Sequence, residues 1–243
     1  VLAKDVSAAT YDFLLGQTGS LDRRDVLLAC VAATAADGAP RPVREILVYG
    51  LQRGLDAGAL REALLEVAPL AGAIRAEQAL AALGEATVEA EKPSDPFASL
   101  LEPRERKEAP RGGSSPEDEA PSGPSVLDSV HGERAARVRA RIAGRSKALA
   151  GWLEDDLYKR VFARQGLTVL QRALVALGAS FPLDARESVA DWVSAARTAG
   201  ADEASLWATA DTLARLFKDG PEVRNALAGF GSVLGRRIAP NDD

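Results

Sequence analysis

Cysteine, histidine and methionine are almost missing from this chain, which holds one Cys (Cys30), one His (His131) and no Met in 243 residues. A lone cysteine forms no internal disulfide, which points to a reducing, cytoplasmic setting. One His and one Cys do not make a dedicated zinc site, so no metal and no cofactor is expected. No stretch reaches the roughly 18 consecutive apolar residues of a membrane span, so no membrane partner is expected. The opening VLAKDVSAATYDFL carries Asp5 and no apolar core behind Lys4, unlike a secretory signal. A net charge of -5 gives no global basic field, which argues against nucleic acid as a partner. Aromatics make up only 5%, too few for a stacking surface along a nucleic-acid strand.

What is abundant is Ala and Leu, which lose little freedom on entering a helix. The length suits two domains with a linker between them. The stretch EKPSDPFASLLEPRERKEAPRGGSSPEDEAPSGPS concentrates Pro, Gly, Ser, Glu and Lys. It has too little apolar surface to offset the entropy of ordering, and reads as a flexible linker. The expected division is a first unit over 1–90, a linker over 91–130 and a second unit over 131–243.

Each unit shows the same order of signals. Asp22–Asp37 reads as a buried helix stopped by Gly38, and Pro40 then opens a helix with Val43, Ile46, Leu47 and Leu51 at helical spacing. Gly54 ends it, Asp56 caps the next helix, and Pro69 with Gly72 marks a break. In the second unit Leu167–Gly178 is an apolar helix, Phe181-Pro182-Leu183 a break, and Arg186–Ala199 a helix ended by Gly200. Asp202 caps the following helix and Gly220-Pro221 interrupts it. This parallel predicts an internal duplication. A long amphipathic segment, Gly132–Arg164, precedes the second copy.

The run LDRRDVLLACVAATAADGAPRPVREILVYGLQRGLDAGALREALLEVAPLAG resembles the carboxymuconolactone decarboxylase/alkylhydroperoxidase-D-like family. Leu21-Asp22, Arg24, Arg44, Leu51, Gly54 and Glu66–Gly72 fall at its spacing. GERAARVRARIAG and DDLYKRVFARQGLTVLQRALVALG are similar to its decarboxylase branch. The resemblance implies an all-α fold of two tandem repeats stacked as a pseudo-dimer, and a homo-oligomer, either a trimer or a hexamer.

Redox members of that family carry Cys-x-x-Cys followed four residues later by His, with a Glu on the preceding helix. Thiols at a helix start gain from its dipole, which favours thiolate, and the imidazole relays a proton. Carried over by position, Ala39 and Pro42 stand at the first repeat's cysteine places and Ile46 at its histidine. The Glu position falls on Asp25 or Leu27, depending on where a two-residue insertion is put. In the second repeat Ala173 stands for Glu, Ala185 and Ser188 for the cysteines, and Trp192 for His. None of Ala, Pro, Ile or Trp accepts a proton or attacks a peroxide.

Cys30, among Leu27, Leu28 and Val31, reads as inert core. His131, at the linker edge, reads as a solvated helix start. Arg134, Arg137, Arg141 and Arg145 form one basic stripe, read as a solvated face or one paired with Glu133 and the acidic linker. Trp192 is expected to plug the old pocket of the second repeat. Two functions remain open. One is a catalytically degenerate binding or assembly protein. The other is an enzyme acting on a small organic acid or a hydroperoxide through other residues, which requires an open cavity with Asp25, Tyr49, Arg172 or Asp191 converging on it. A weaker third idea is recruitment of a macromolecule by the linker and the arginine stripe.

Overall fold

A computed structural model describes residue 16 and residues 19–90, 125–217 and 220–235. The fold is all helical, with no strand among the described residues. The first half contributes α1 (Arg23–Asp37), α2 (Pro40–Gln52), α3 (Ala57–Ala71) and α4 (Ala73–Ala90). A connecting group follows, with α5 (Val126–His131), a 3₁₀ turn (Gly132–Arg134), α6 (Ala135–Arg145) and α7 (Lys147–Trp152), which runs on as a π-helix (Leu153–Phe162). The second half contributes α8 (Val169–Ser180), a 3₁₀ turn (Phe181–Leu183), α9 (Arg186–Thr198), α10 (Glu203–Leu216) and α11 (Pro221–Leu234).

The caps read from the sequence are in place. Asp22 accepts from the Arg24 N–H, Asp56 from Ala59 and Asp202 from Ser205, each satisfying an orphan donor at a helix start. Gly38 closes α1 at φ 79°, a left-handed conformation that costs a glycine little. Pro40 and Pro221 stand first in α2 and α11, where no partner for an N–H is needed.

Corresponding helices of the halves pack in corresponding ways. In each half the second helix packs on the fourth and on the first. α3 rests on α8, and α10 rests on α1. The chain just before α1 lies on α10, where the Ser20 N–H donates to Ser205 Oγ at 2.8 Å. The chain just before α8 lies on α3, where Arg164 donates to both Glu62 oxygens at 2.7 and 2.8 Å.

At the centre α1 and α8 lie against each other, and one apolar cluster spans both halves. Ala29, Ala32, Ala33 and Ala36 on one side, with Ala173, Ala176 and Ala179 on the other, are completely buried. Small side chains let the two backbones approach, and Leu28, Leu174 and Leu177 fill the flanks, each burial contributing about 1.5–3 kcal/mol.

Two expectations are corrected and two are located more closely. Residues 126–130, assigned by composition to the linker, form α5: Ser125 and Asp128 make a reciprocal capping box, and Leu127 and Val130 are buried. The rest of the expected linker, 91–124, lies outside the described residues. The break read at Pro69 and Gly72 falls at Gly72 (φ 107°), between α3 and α4, and Pro69 stays inside α3, where losing one N–H near the end is tolerated. Gly178 does not end α8, which continues to Ser180, because this glycine serves close contact with Ala29. The amphipathic segment 132–164 is helical in pieces: Ser146 adopts an extended conformation (φ -164°, ψ 123°) and restarts the chain by capping α7.

Candidate functional site

Six side chains meet where the connecting group covers α9. His131 is the last residue of α5, and Gly132 at φ 54° then turns the chain into α6. Tyr158 and Phe162 come from the π-helix, a local widening often found where a side chain must be re-aimed. Ser188, Asp191 and Trp192 lie on one face of α9, at spacings of three and four.

His131 Nε2 lies 2.7 Å from the Tyr158 hydroxyl. The His131 ring is tilted against Trp192 at 4.9 Å, and Trp192 stacks on Phe162 at 5.4 Å with an interplanar angle of 15°. Far from being a solvated helix start, His131 is 1% exposed. Burial lowers its pKa from 6.5 to about 4, with Arg134 and Arg141 acting in the same direction and the Asp191 backbone opposing them, so the ring is neutral at pH 7. Burial pushes the Tyr158 phenol upward, so it keeps its proton. His131 Nδ1 has no hydrogen-bond partner among the described residues. A buried polar atom left so costs about 1–3 kcal/mol.

The basic stripe is not a free face either. Arg141 reaches Asp191 Oδ2 at 2.5 Å, and Arg134 reaches Oδ1 at 3.4 Å. Arg145 meets Glu187 at 2.8 Å, with Arg141 3.8 Å from the same carboxylate. The partners are thus two acids one turn apart on α9, which draw α6 onto that helix.

Beside these groups is a cavity of about 70 Å³, with His131, Tyr158, Arg141, Ser188, Asp191 and Trp192 in its wall. The rest of the wall is aliphatic, from Leu70, Val138, Ile142, Leu153 and Leu157.

The motif positions of the two halves occupy the same places in their helices. Ala39 and Ala185 are the residues preceding α2 and α9, Pro42 and Ser188 are third, and Ile46 and Trp192 are seventh. Ile46 and Ala173 are completely buried, and Trp192 is 4% exposed. The four pocket candidates do not converge. Asp191 lines the small cavity. Tyr49 lines a separate open groove of about 750 Å³ between α2 and α4, crossed by an Arg44–Glu89 pair at 2.6 Å. Asp25 accepts from Gln171 Nε2 at 2.8 Å, and its carboxyl is raised in pKa mainly by burial. Arg172 is buried against Glu66 at 3.3 Å and donates to the Arg164 carbonyl at 2.6 Å. Cys30 is buried in α1, and burial pushes its thiol to about 12, so no thiolate forms near neutrality. Among the described residues no three His, Cys, Asp or Glu side chains gather to hold a metal ion, and no helix is long and apolar enough to cross a membrane.

Sequence reasoning missed His131 and Tyr158. The available signal was Ser125-x-x-Asp128 ahead of Val130, a capped helix with an apolar face that carries His131 inward. Comparison with known proteins adds nothing to the geometry: no protein-family model matches the chain, and no curated protein matches it.

Proposed function

We propose that the chain is a catalytically degenerate relative of the carboxymuconolactone decarboxylase/alkylhydroperoxidase-D-like proteins, used for binding or assembly. One observation carries this reading. At the corresponding starts of α2 and α9, where such relatives hold thiols and an imidazole, the chain presents Ala39, Pro42 and Ile46, and Ala185, Ser188 and Trp192. Ile46 is core and Trp192 is stacked on Phe162, so neither place holds the imidazole or the pair of thiols that the resemblance would require. The chain's one thiol is buried and protonated.

Assembly follows from the same resemblance, which implies a homotrimer or homohexamer. Ile74 and Val88, exposed on α4, supply apolar surface for it. Light scattering behind size exclusion reads the mass directly, and a monomer at all concentrations sinks the assembly half of the proposal. Incubation with hydrogen peroxide, cumene hydroperoxide and a panel of small lactone and dicarboxylic acids should give no turnover above buffer. Peroxide loss that persists in Cys30→Ser, or release of CO₂, ends the non-catalytic reading.

A second reading is favoured by the cavity itself, because His131, Ser188 and Asp191 stand together in its wall. On that reading the chain is an enzyme that handles a small organic acid through residues its relatives do not use. The neutral imidazole would be the proton acceptor. The same acid panel separates the two, since only the enzyme reading predicts a changed product.

A further inference from the structure

His131 and Tyr158 have one hydrogen bond between them and two protons to donate. A neutral imidazole carries one N–H and a phenol one O–H. The 2.7 Å contact between Nε2 and the hydroxyl consumes only one of these. If the phenol donates, Nδ1 bears the remaining proton; if the ring donates, the phenol keeps it. Either way one donor lacks an acceptor, while both side chains are buried and both line the same cavity. Nδ1 has no partner in hydrogen-bonding geometry.

The charged groups in the cavity wall are Arg141 and Asp191, paired at 2.5 Å, and Arg134, just outside the wall, shares the same carboxylate at 3.4 Å. Two guanidiniums thus lean on one carboxylate, and Arg134 Nε is a buried donor without a partner. An acceptor in the cavity answers the spare proton of the His131–Tyr158 pair, and one that brings a negative charge makes the stronger, charge-assisted bond beside those guanidiniums. The space of about 70 Å³ is several times the roughly 10–15 Å³ that admits one water, and limits an occupant to a few heavy atoms. The remaining wall is aliphatic, which suits a short hydrocarbon tail.

We propose that this cavity is a binding site for a short-chain monocarboxylate, with one carboxylate oxygen accepting the spare proton of the His131–Tyr158 pair and the tail lying against Val138, Leu157 and Trp192. Arg141 supplies the nearest positive charge. Asp191, held by two arginines, positions Arg141 and has no direct part in binding. The proposal rests on the reading of the chain as a binding protein, and names the class of ligand.

The test uses the full chain, with sodium acetate and sodium propionate as probes at constant ionic strength and acetamide as the uncharged control. Saturation-transfer NMR and calorimetry should show saturable 1:1 binding of the acids in the millimolar range or tighter, and acetamide at least tenfold weaker. Tryptophan emission should change on saturation in the wild type and not in Trp192→Phe. His131→Phe removes the donor pair, and Val138→Leu fills the cavity without touching a polar group; each should weaken binding at least tenfold. Absence of saturable binding overturns the proposal, as does unchanged affinity in Val138→Leu, which places the acid elsewhere. Equal binding of acetamide overturns the anion assignment. The fate of propionate, followed by NMR for a day, separates this proposal from the functional reading. Consumption of a bound acid sinks the non-catalytic reading alone, whereas no binding and no consumption sinks the ligand assignment alone.

Discussion

Asp25 and Gln171, each the third residue of the first helix in its half, hydrogen-bond to one another at 2.8 Å. The Gln171 amide works at both ends, because its oxygen also accepts the Thr168 N–H and so caps its own helix. Two helices that meet at the same position of their sequences bring the halves together about a common centre. What lies at that centre is backbone on backbone, with Gly178 against Ala29.

A methyl group at residue 178 would collide with the Ala29 carbonyl and Cα, and neither can move without parting the helices. Gly178→Ala is therefore expected to destabilise the fold by about 1–3 kcal/mol, the range for overpacking a tight core. Gly84, exposed in α4 with nothing near its missing side chain, is the control. Gly84→Ala should stabilise by about 0.5–1 kcal/mol through helix propensity. Urea melts of the two variants should shift in opposite directions.

His131 predicts a loss of stability in mild acid. Its ordinary pKa is 6.5 and its value in the fold is about 4. Between these values the unfolded chain takes up a proton that the buried ring refuses. The contribution is complete above pH 6.5, shrinks as pH falls, and is gone near pH 4. For a shift of this size the loss is about 3 kcal/mol. His131→Phe should flatten that part of the stability–pH curve, whatever it does to stability at pH 7. An unchanged slope would show that the ring is hydrated.

The Arg172–Glu66 pair is buried on both sides, with Glu66 Oε1 left without a partner. Arg172→Leu should cost most, up to about 3–5 kcal/mol, at pH high enough to ionise Glu66, where the acid is stranded as a charge, and adding Glu66→Leu should recover most of it. Burial holds the Glu66 carboxyl well above its ordinary 4.5, so the fold favours its protonated form. That contribution is complete below pH 4.5 and declines as pH rises through the elevated folded value. Glu66→Gln should abolish this decline, read from chemical denaturation between pH 4.5 and 8.

Asp191 and Asp155 offer a contrast in ion-pair strength. Asp191 is nearly buried and held by two arginines, whereas the Lys159–Asp155 pair is exposed on both sides. Asp191→Ala should cost about 1–3 kcal/mol, because two half-buried guanidiniums lose their acceptor. Asp155→Ala should leave the urea midpoint where it is, at low and at high salt alike.

The helix order, the caps at Asp22, Asp56 and Asp202 and the turns at Gly38, Gly54 and Gly200 were legible, because each is set by residues within four positions of one another. Gly178 was misread because its local tendency is to stop a helix, and its tertiary contact with Ala29 overrides that. His131 was illegible as a buried group because Tyr158 and Trp192 lie far along the chain. The arginine stripe was visible as a stripe, but nothing local says that Glu187 and Asp191 would meet it. The candidate site is built almost wholly from such distant pairs, so the sequence announced its residue types and not their meeting.

The shared seam between α1 and α8 has a consequence for a severed chain. Cutting anywhere within 91–124 would divide the polypeptide into two pieces, each exposing the alanine-lined face that the other had covered. The pieces should therefore stay associated after a protease nick, and when produced separately should fold only by finding each other, which makes the molecule a ready split-protein pair.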